Sequence, residues 1–177
     1  MMLLDVGNTT ARWAFTDGDG LTGQGSFVHR GHEVSALADQ AWAGREAPDA
    51  MAVANVAGRP VQEALTRWAG EHWNLMPLYL KVTAAAAGVT NAYTMPQQLG
   101  VDRWAAMVAA WHEQKCAVLV IDCGSAITLD VVDAGGRHHG GLIAPGVSMM
   151  RNSLSQETAN IDILSADRDR TVSLLSG

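Results

Sequence analysis

Lysine is nearly missing from this 177-residue chain: only Lys81 and Lys115 accompany ten arginines, and 18 acidic residues bring the formal net charge to −6. A nucleic-acid protein wants a basic surface to neutralise phosphates. The composition therefore argues against a nucleic-acid partner and requires any anionic ligand to be held by local groups. Cysteine is scarce as well. Cys116 and Cys123 flank one apolar run with no His at ligand spacing, which excludes a disulfide framework or a zinc site and predicts two reduced thiols. No basic leader with a long apolar core opens the chain, and no uncharged stretch reaches the roughly 18 residues a membrane span needs, so a soluble, cytoplasmic protein without a membrane partner is expected. Neither a Walker A loop nor a Gly-x-Gly-x-x-Gly fingerprint occurs.

What the chain does have is an apolar content of 48%, enough for a real core. Residues 2–6 read as a buried strand and 11–15 as a second. The turn Asp17–Gly20 leads into a third strand around 25–29. Apolar spacing predicts helices over 32–44 and from Pro60 through Trp68, with strands at 50–56 and 78–81 between and after them. The Ala-rich stretch 84–87 with Gly88 reads as a loop or linker. A long helix is expected from Val101 to Gln114, burying Trp104, Met107, Val108 and Trp111. Strands at 117–122, 126–132 and 137–143, with a turn at 133–136, then restate the opening three strands about 117 positions later. A helix after Gly146 and a helical pattern over 171–175 follow. This is duplication at domain scale, with domains expected at 1–115 and 116–177, and the second short of the elements that follow the opening strands of the first.

Four segments are candidates for chemistry. Asp5-Val6-Gly7-Asn8-Thr9-Thr10 follows the first strand, and Asp122-Cys123-Gly124-Ser125 follows its counterpart. In each, a strand delivers an Asp to a tight turn and a hydroxyl follows a Gly. Taken alone, the first reads equally as an ordinary hairpin turn; two copies facing each other would clamp a polyphosphate, with Asp5 orienting a hydrated Mg²⁺ and Arg12 adding a cation. Leu99-Gly100-Val101-Asp102-Arg103 opens the long helix. Its plain reading is a capped helix with Arg103 solvated, but a carboxylate at Asp102 could accept a proton from an attacking hydroxyl while Arg103 pairs with an anion. Gly140-Gly141-Leu142-Ile143-Ala144-Pro145-Gly146 is either a Gly-rich turn or a close backbone approach to a ligand. His138 and His139 alternate faces of a strand without a third ligand nearby and are expected as surface imidazoles. The six tryptophans are expected mostly in core packing.

In order, Asp5-x-Gly7-Asn8-Thr9, Tyr93, Leu99-Gly100-x-Asp102-Arg103, Asp122-x-Gly124-Ser125-Ala126-x-Thr128 and Gly140-Gly141-x-Ile143-x-Pro145-Gly146 resemble the motifs of type III pantothenate kinase. That family lies in the actin, sugar kinase and Hsp70-like ATPase superfamily, and the resemblance covers nearly the whole chain. It implies an α/β fold of duplicated ribonuclease H-like (actin-like ATPase) domains, the second truncated at its C-terminus. It also implies ATP-dependent phosphorylation of the 4′-hydroxyl of pantothenate, the first step of coenzyme A synthesis, in a homodimer needing Mg²⁺ and a monovalent cation, K⁺ or NH₄⁺. By that resemblance Asp5, Val6, Gly7, Asn8, Thr9, Thr10, Ala11 and Arg12 bind ATP, with Ser125 where the family usually has Thr. Tyr93, Gly100, Val101, Asp102, Arg103 and Thr171 hold pantothenate, Asp102 is the proton acceptor, and Asp122 is the potassium ligand. The competing readings are a truncated, non-catalytic relative acting as a binding or accessory protein, and another small-molecule kinase of the superfamily.

Overall fold

A computed structural model describes residues 1–18 and 20–157. The opening run alternates apolar residues inward, so Met2, Leu4 and Val6 of strand β1 (Met2–Val6) are buried. Strand β2 (Thr10–Thr16) pairs antiparallel with β1, and β3 (Leu21–Val28) pairs antiparallel with β2. Pairing carries β3 back to Leu21, four residues earlier than the sequence pattern indicates. Helix α1 (Val34–Trp42) crosses to β4 (Met51–Asn55), which lies parallel to β1. Helix α2 (Arg59–Trp73) crosses to the short β5 (Leu78–Tyr79), parallel to β4. The sheet order is β3-β2-β1-β4-β5.

Both helices pack on this sheet through tryptophan. The Trp42 ring meets Trp13 edge-on at 5.3 Å and Trp68 at 5.4 Å, arrangements favoured by the ring quadrupoles. The buried Trp68 donates its indole N–H to Asp39 Oδ1 at 2.7 Å. Asp39 thereby links α1 to α2.

The stretch read as a linker is instead a small hairpin, β6 (Ala85–Ala86) with β7 (Val89–Thr90). Val89 is fully buried and the Thr90 N–H donates to the Gly136 carbonyl at 2.8 Å, so tertiary contacts and the strand-favouring Val89-Thr90 pair draw Ala85–Ala86, which have little strand propensity of their own, into a strand. A single 3₁₀ turn at Pro96–Gln98 leads into α3 (Val101–Gln114). Strands β8 (Val118–Cys123), β9 (Ala126–Val132) and β10 (His138–Pro145) form a second antiparallel meander, ordered β10-β9-β8. Helix α3 covers one face of it, where Trp104 and Met107 pack with Val89, Leu99 and Val132, and it also touches β4. The opposite face leaves Leu119, Ile121 and Val131 exposed. Helix α4 (Val147–Glu157) follows β10. The expected helix over 171–175 lies outside the described residues.

Candidate active site

Strand pairing builds the site. Asp5 is the register partner of Arg12 across β1 and β2, and the Gly7 N–H closes the intervening turn on the Thr10 carbonyl at 3.0 Å. In the second meander Asp122 pairs with Thr128, and the Gly124 N–H donates to the Ala126 carbonyl at 2.9 Å. The two turns meet: Thr9 Oγ1 and Ser125 Oγ share a hydrogen bond of 2.9 Å although 116 positions separate them.

Asp102, in the first turn of α3, belongs to the same neighbourhood. The Asp5 carboxyl is held above the usual carboxylate range, first by loss of water around it and then by the negative charge of Asp102. Arg12 opposes the shift and Asp122 adds to it. Asp102, Arg12 and Asp122 thus all act electrostatically on Asp5. An added cation would relieve the repulsion among the three carboxylates.

The sequence leaves Arg103 either in solvent or paired with an anion of a ligand. In the fold its anionic partner is internal: Nε and Nη2 donate to Asp130 Oδ2 and Oδ1 at 2.8 and 2.7 Å, with Arg103 12% and Asp130 2% exposed. This two-point bond holds the guanidinium even more firmly protonated. His138 is a correction. It is not a surface imidazole but fully buried, its Nδ1 accepting from the Ala92 N–H at 3.4 Å and its Nε2 lying 3.1 Å from Asp130 Oδ1. With Nδ1 as acceptor, Nε2 carries the hydrogen and donates to the carboxylate. Tyr93 stacks 6.1 Å from the His138 ring and also reaches the Arg103 guanidinium. His139 is an exposed imidazole, paired with Asp133 Oδ2 at 2.7 Å.

Asp130 and His138 are the site residues that the sequence reading missed. One signal was available for Asp130. It falls on the inward face of β9 between Thr128 and Val132, and a carboxylate at a core register needs a cationic partner.

The Gly-rich segment has a packing explanation. A Cβ on Gly141 would collide with Asp130 Oδ1, the Leu129 carbonyl and the Arg103 guanidinium. A Cβ on Gly146 would strike the backbone of Gly124 and Ser125, beneath which Gly146 donates its N–H to the Ser125 carbonyl at 3.0 Å. Each glycine therefore lets one strand end approach a functional element. A cleft of about 420 Å³ is lined by Gly100 and Val101 together with the apolar Val56 and Leu80 and the polar Asn55 and Lys81. Cys116 and Cys123 are free and exposed. Thr171 lies outside the described residues.

A family model described as type III pantothenate kinase matches residues 1–175. The chain belongs to the type III pantothenate kinase family. Curated relatives of that description include one from Nitrosococcus oceani, 37% identical over 167 residues, which span 92% of this chain and 63% of the relative. Another, from Nitrosomonas eutropha, is 38% identical over 156 residues, spanning 88% and 59%. The chain thus spans about six tenths of the length of the curated kinases it matches. Among solved structures, a Campylobacter jejuni protein described as a conserved Baf family transcriptional activator aligns with TM-score 0.56 at 21% identity, covering 90% of this chain and 61% of that one. The ethanolamine utilization protein EutJ of Carboxydothermus hydrogenoformans aligns with TM-score 0.51 at 15% identity, covering 88% and 56%. These likenesses bear on fold alone: the pantothenate kinase family chain is a mixed α/β protein that shares its fold with them.

Proposed function

We propose that this protein, as part of a type III pantothenate kinase, transfers the γ-phosphoryl group of ATP to the 4′-hydroxyl of pantothenate, the first step of coenzyme A synthesis. The observation that carries the reading is the meeting of the two Asp-x-Gly turns at Thr9 and Ser125, with the charges of Asp102 and Asp122 bearing on Asp5. Residues Asp5 to Arg12 and Ser125 hold the ATP phosphates through backbone N–H groups, hydroxyls and the Arg12 cation. Tyr93, Gly100, Val101, Asp102 and Arg103 hold pantothenate, and the cleft beside Gly100 supports that placement with an apolar wall suited to a branched acyl chain. Thr171 is proposed to join them.

The chemistry is a single displacement. The 4′-oxygen forms a bond to the γ-phosphorus, the bond from that phosphorus to the oxygen retained by ADP breaks, and the hydroxyl proton goes to the Asp102 carboxylate. Positioning and charge neutralisation supply the rate. Arg103, locked by Asp130, presents its remaining guanidinium nitrogen as a fixed cation rather than a searching one. Among the described residues no group of three or more His, Cys, Asp or Glu side chains forms a closed metal cage. A divalent ion would rest on Asp5 together with water and the phosphates, the manner Mg²⁺ prefers, and the negative charges of Asp102 and Asp122 acting at Asp5 support that fit. When bound, Mg²⁺ neutralises charge on the β- and γ-phosphates. Asp122 is proposed to hold a monovalent cation, K⁺ or NH₄⁺, which would supplement a site with little lysine.

The two meanders support a further reading as duplicated ribonuclease H-like domains, 1–115 and 116 onward, of which the second is represented among the described residues by β8 to β10 and α4. The working form is proposed as a cytoplasmic homodimer. No helix among the described residues is long and apolar enough to cross a membrane.

A substrate panel tests the activity. The full-length protein, given MgATP and either pantothenate, a sugar or a short hydroxy acid, is expected to yield 4′-phosphopantothenate and ADP in equal amounts. Phosphorylation of the sugar alone would replace pantothenate with another acceptor. No phosphorylated product with any acceptor, despite MgATP binding, would make the protein a binding or accessory relative.

A further inference from the structure

His29 lies at the end of β3, 6% exposed, outside every motif used above. Its Nε2 is 2.7 Å from the Gly7 carbonyl oxygen in the first turn. A carbonyl can only accept, so Nε2 carries the hydrogen and donates. The neighbouring carbonyls of this turn are drawn into the fold too: the Val6 oxygen accepts from the Val56 N–H at 2.9 Å, and the Thr9 oxygen accepts from the N–H groups of His29 at 2.9 Å and Arg30 at 3.3 Å. His29 therefore grips the turn twice, through its ring at Gly7 and through its backbone at Thr9.

The geometry points to His29 as the positioning residue that aims the first turn's amide at the nucleotide phosphates, an inference that rests on the phosphate-binding role proposed for that turn. The physical link is the planarity of the peptide. In a trans peptide the C=O and the following N–H point in opposite directions, and this chain has no cis bond among its described residues. Pinning the Gly7 carbonyl toward the buried His29 ring turns the Asn8 N–H the other way, toward the exposed side of the turn. Without the ring, the 7–8 peptide can rotate, since the Gly has no side chain to oppose the flip. The amide would then offer its oxygen to an anion part of the time. His29 touches no nucleotide in this scheme; it acts through a peptide plane, and its bond survives whether the ring is neutral with hydrogen on Nε2 or cationic.

Three variants of the full-length kinase test this, with MgATP and adenosine affinities measured by titration calorimetry beside KM for each substrate. Gln places an amide nitrogen near where Nε2 sits, Asn places one near Nδ1, and Leu supplies none. His29→Leu and His29→Asn are expected to weaken MgATP binding by about tenfold, the loss of one hydrogen bond to a charged ligand. Adenosine affinity and the KM for pantothenate stay at wild-type values, and His29→Gln recovers most of the loss. Equal MgATP affinity across the wild type and all three variants would overturn the proposal. A parallel loss for adenosine would also overturn it, because a merely structural role weakens both. Should His29→Leu fail to fold, the Asn and Gln pair decides alone. Wild-type protein that binds adenosine as tightly as MgATP would instead remove the phosphate-binding reading of the turn, and the role of His29 with it.

Discussion

Asp5 is the residue at which the charge arrangement has its clearest cost. Its raised carboxyl pKa arises from burial and from Asp102, so the unfolded chain ionises this group at lower pH than the folded one. In the window above the ordinary carboxylate pKa the folded state holds the extra proton. Stability therefore falls as pH rises through that window and levels off once Asp5 is ionised in both states. Asp5→Asn is expected to flatten this part of the stability curve and to raise the neutral-pH melting temperature of the ligand-free protein slightly, the effect being limited by the solvent access Asp5 retains. Urea melts between pH 4 and 7 check it; an unaltered slope in the variant would mean Asp5 is not the group responsible. At this scale the sequence was half legible. Asp5, Asp102 and Asp122 stand in compact motifs whose turn chemistry can be read locally. Arg103 could not be assigned its partner, because Asp130 lies 27 positions away and meets it only when β9 packs against α3. His138 was misread for the same reason: its burial depends on Asp130 and on the Ala92 amide 46 positions earlier.

Helices α1 and α3 were legible to within two residues, whereas α2 runs five residues past Trp68, where the expected apolar face ends. Helix α3 runs from Val101 to Gln114 as its spacing dictates, since Trp104, Met107 and Trp111 fall on one face whatever they pack against. The hairpin at 85–90 was not, because alanine and glycine carry no strand signal and the pairing is completed by a hydrogen bond to Gly136. Strand β10 shows how an element without a core pattern can still be exacting. Its Gly141 leaves room for the Arg103–Asp130 pair, so Gly141→Ala is expected to destabilise the fold by about 1–3 kcal/mol through overpacking against backbone and a salt-bridged carboxylate that cannot give way. Chemical denaturation measures this. A loss below a few tenths of a kcal/mol would show that β10 shifts away at little cost.

At the scale of the molecule, two antiparallel meanders present their first turns to each other, and α3 lies against the second meander while touching β4 of the first sheet. That position brings the Asp102 end of α3 to the place where the turns meet. A fold in which strand ends converge from two sheets would give a polyphosphate ligand donors on both sides without needing a lysine, which reconciles an acidic, lysine-poor chain with the anionic substrates proposed for it. The junction is proposed to perform phosphoryl transfer with Asp102 as proton acceptor. This is tested most directly by comparing full-length wild type with Asp102→Asn for both 4′-phosphopantothenate formation and MgATP affinity. Turnover is expected to fall by about 10²–10⁴-fold while the dissociation constant for MgATP stays within a few-fold of wild type. Undiminished turnover in Asp102→Asn, or a loss of turnover explained wholly by lost ATP binding, would contradict it.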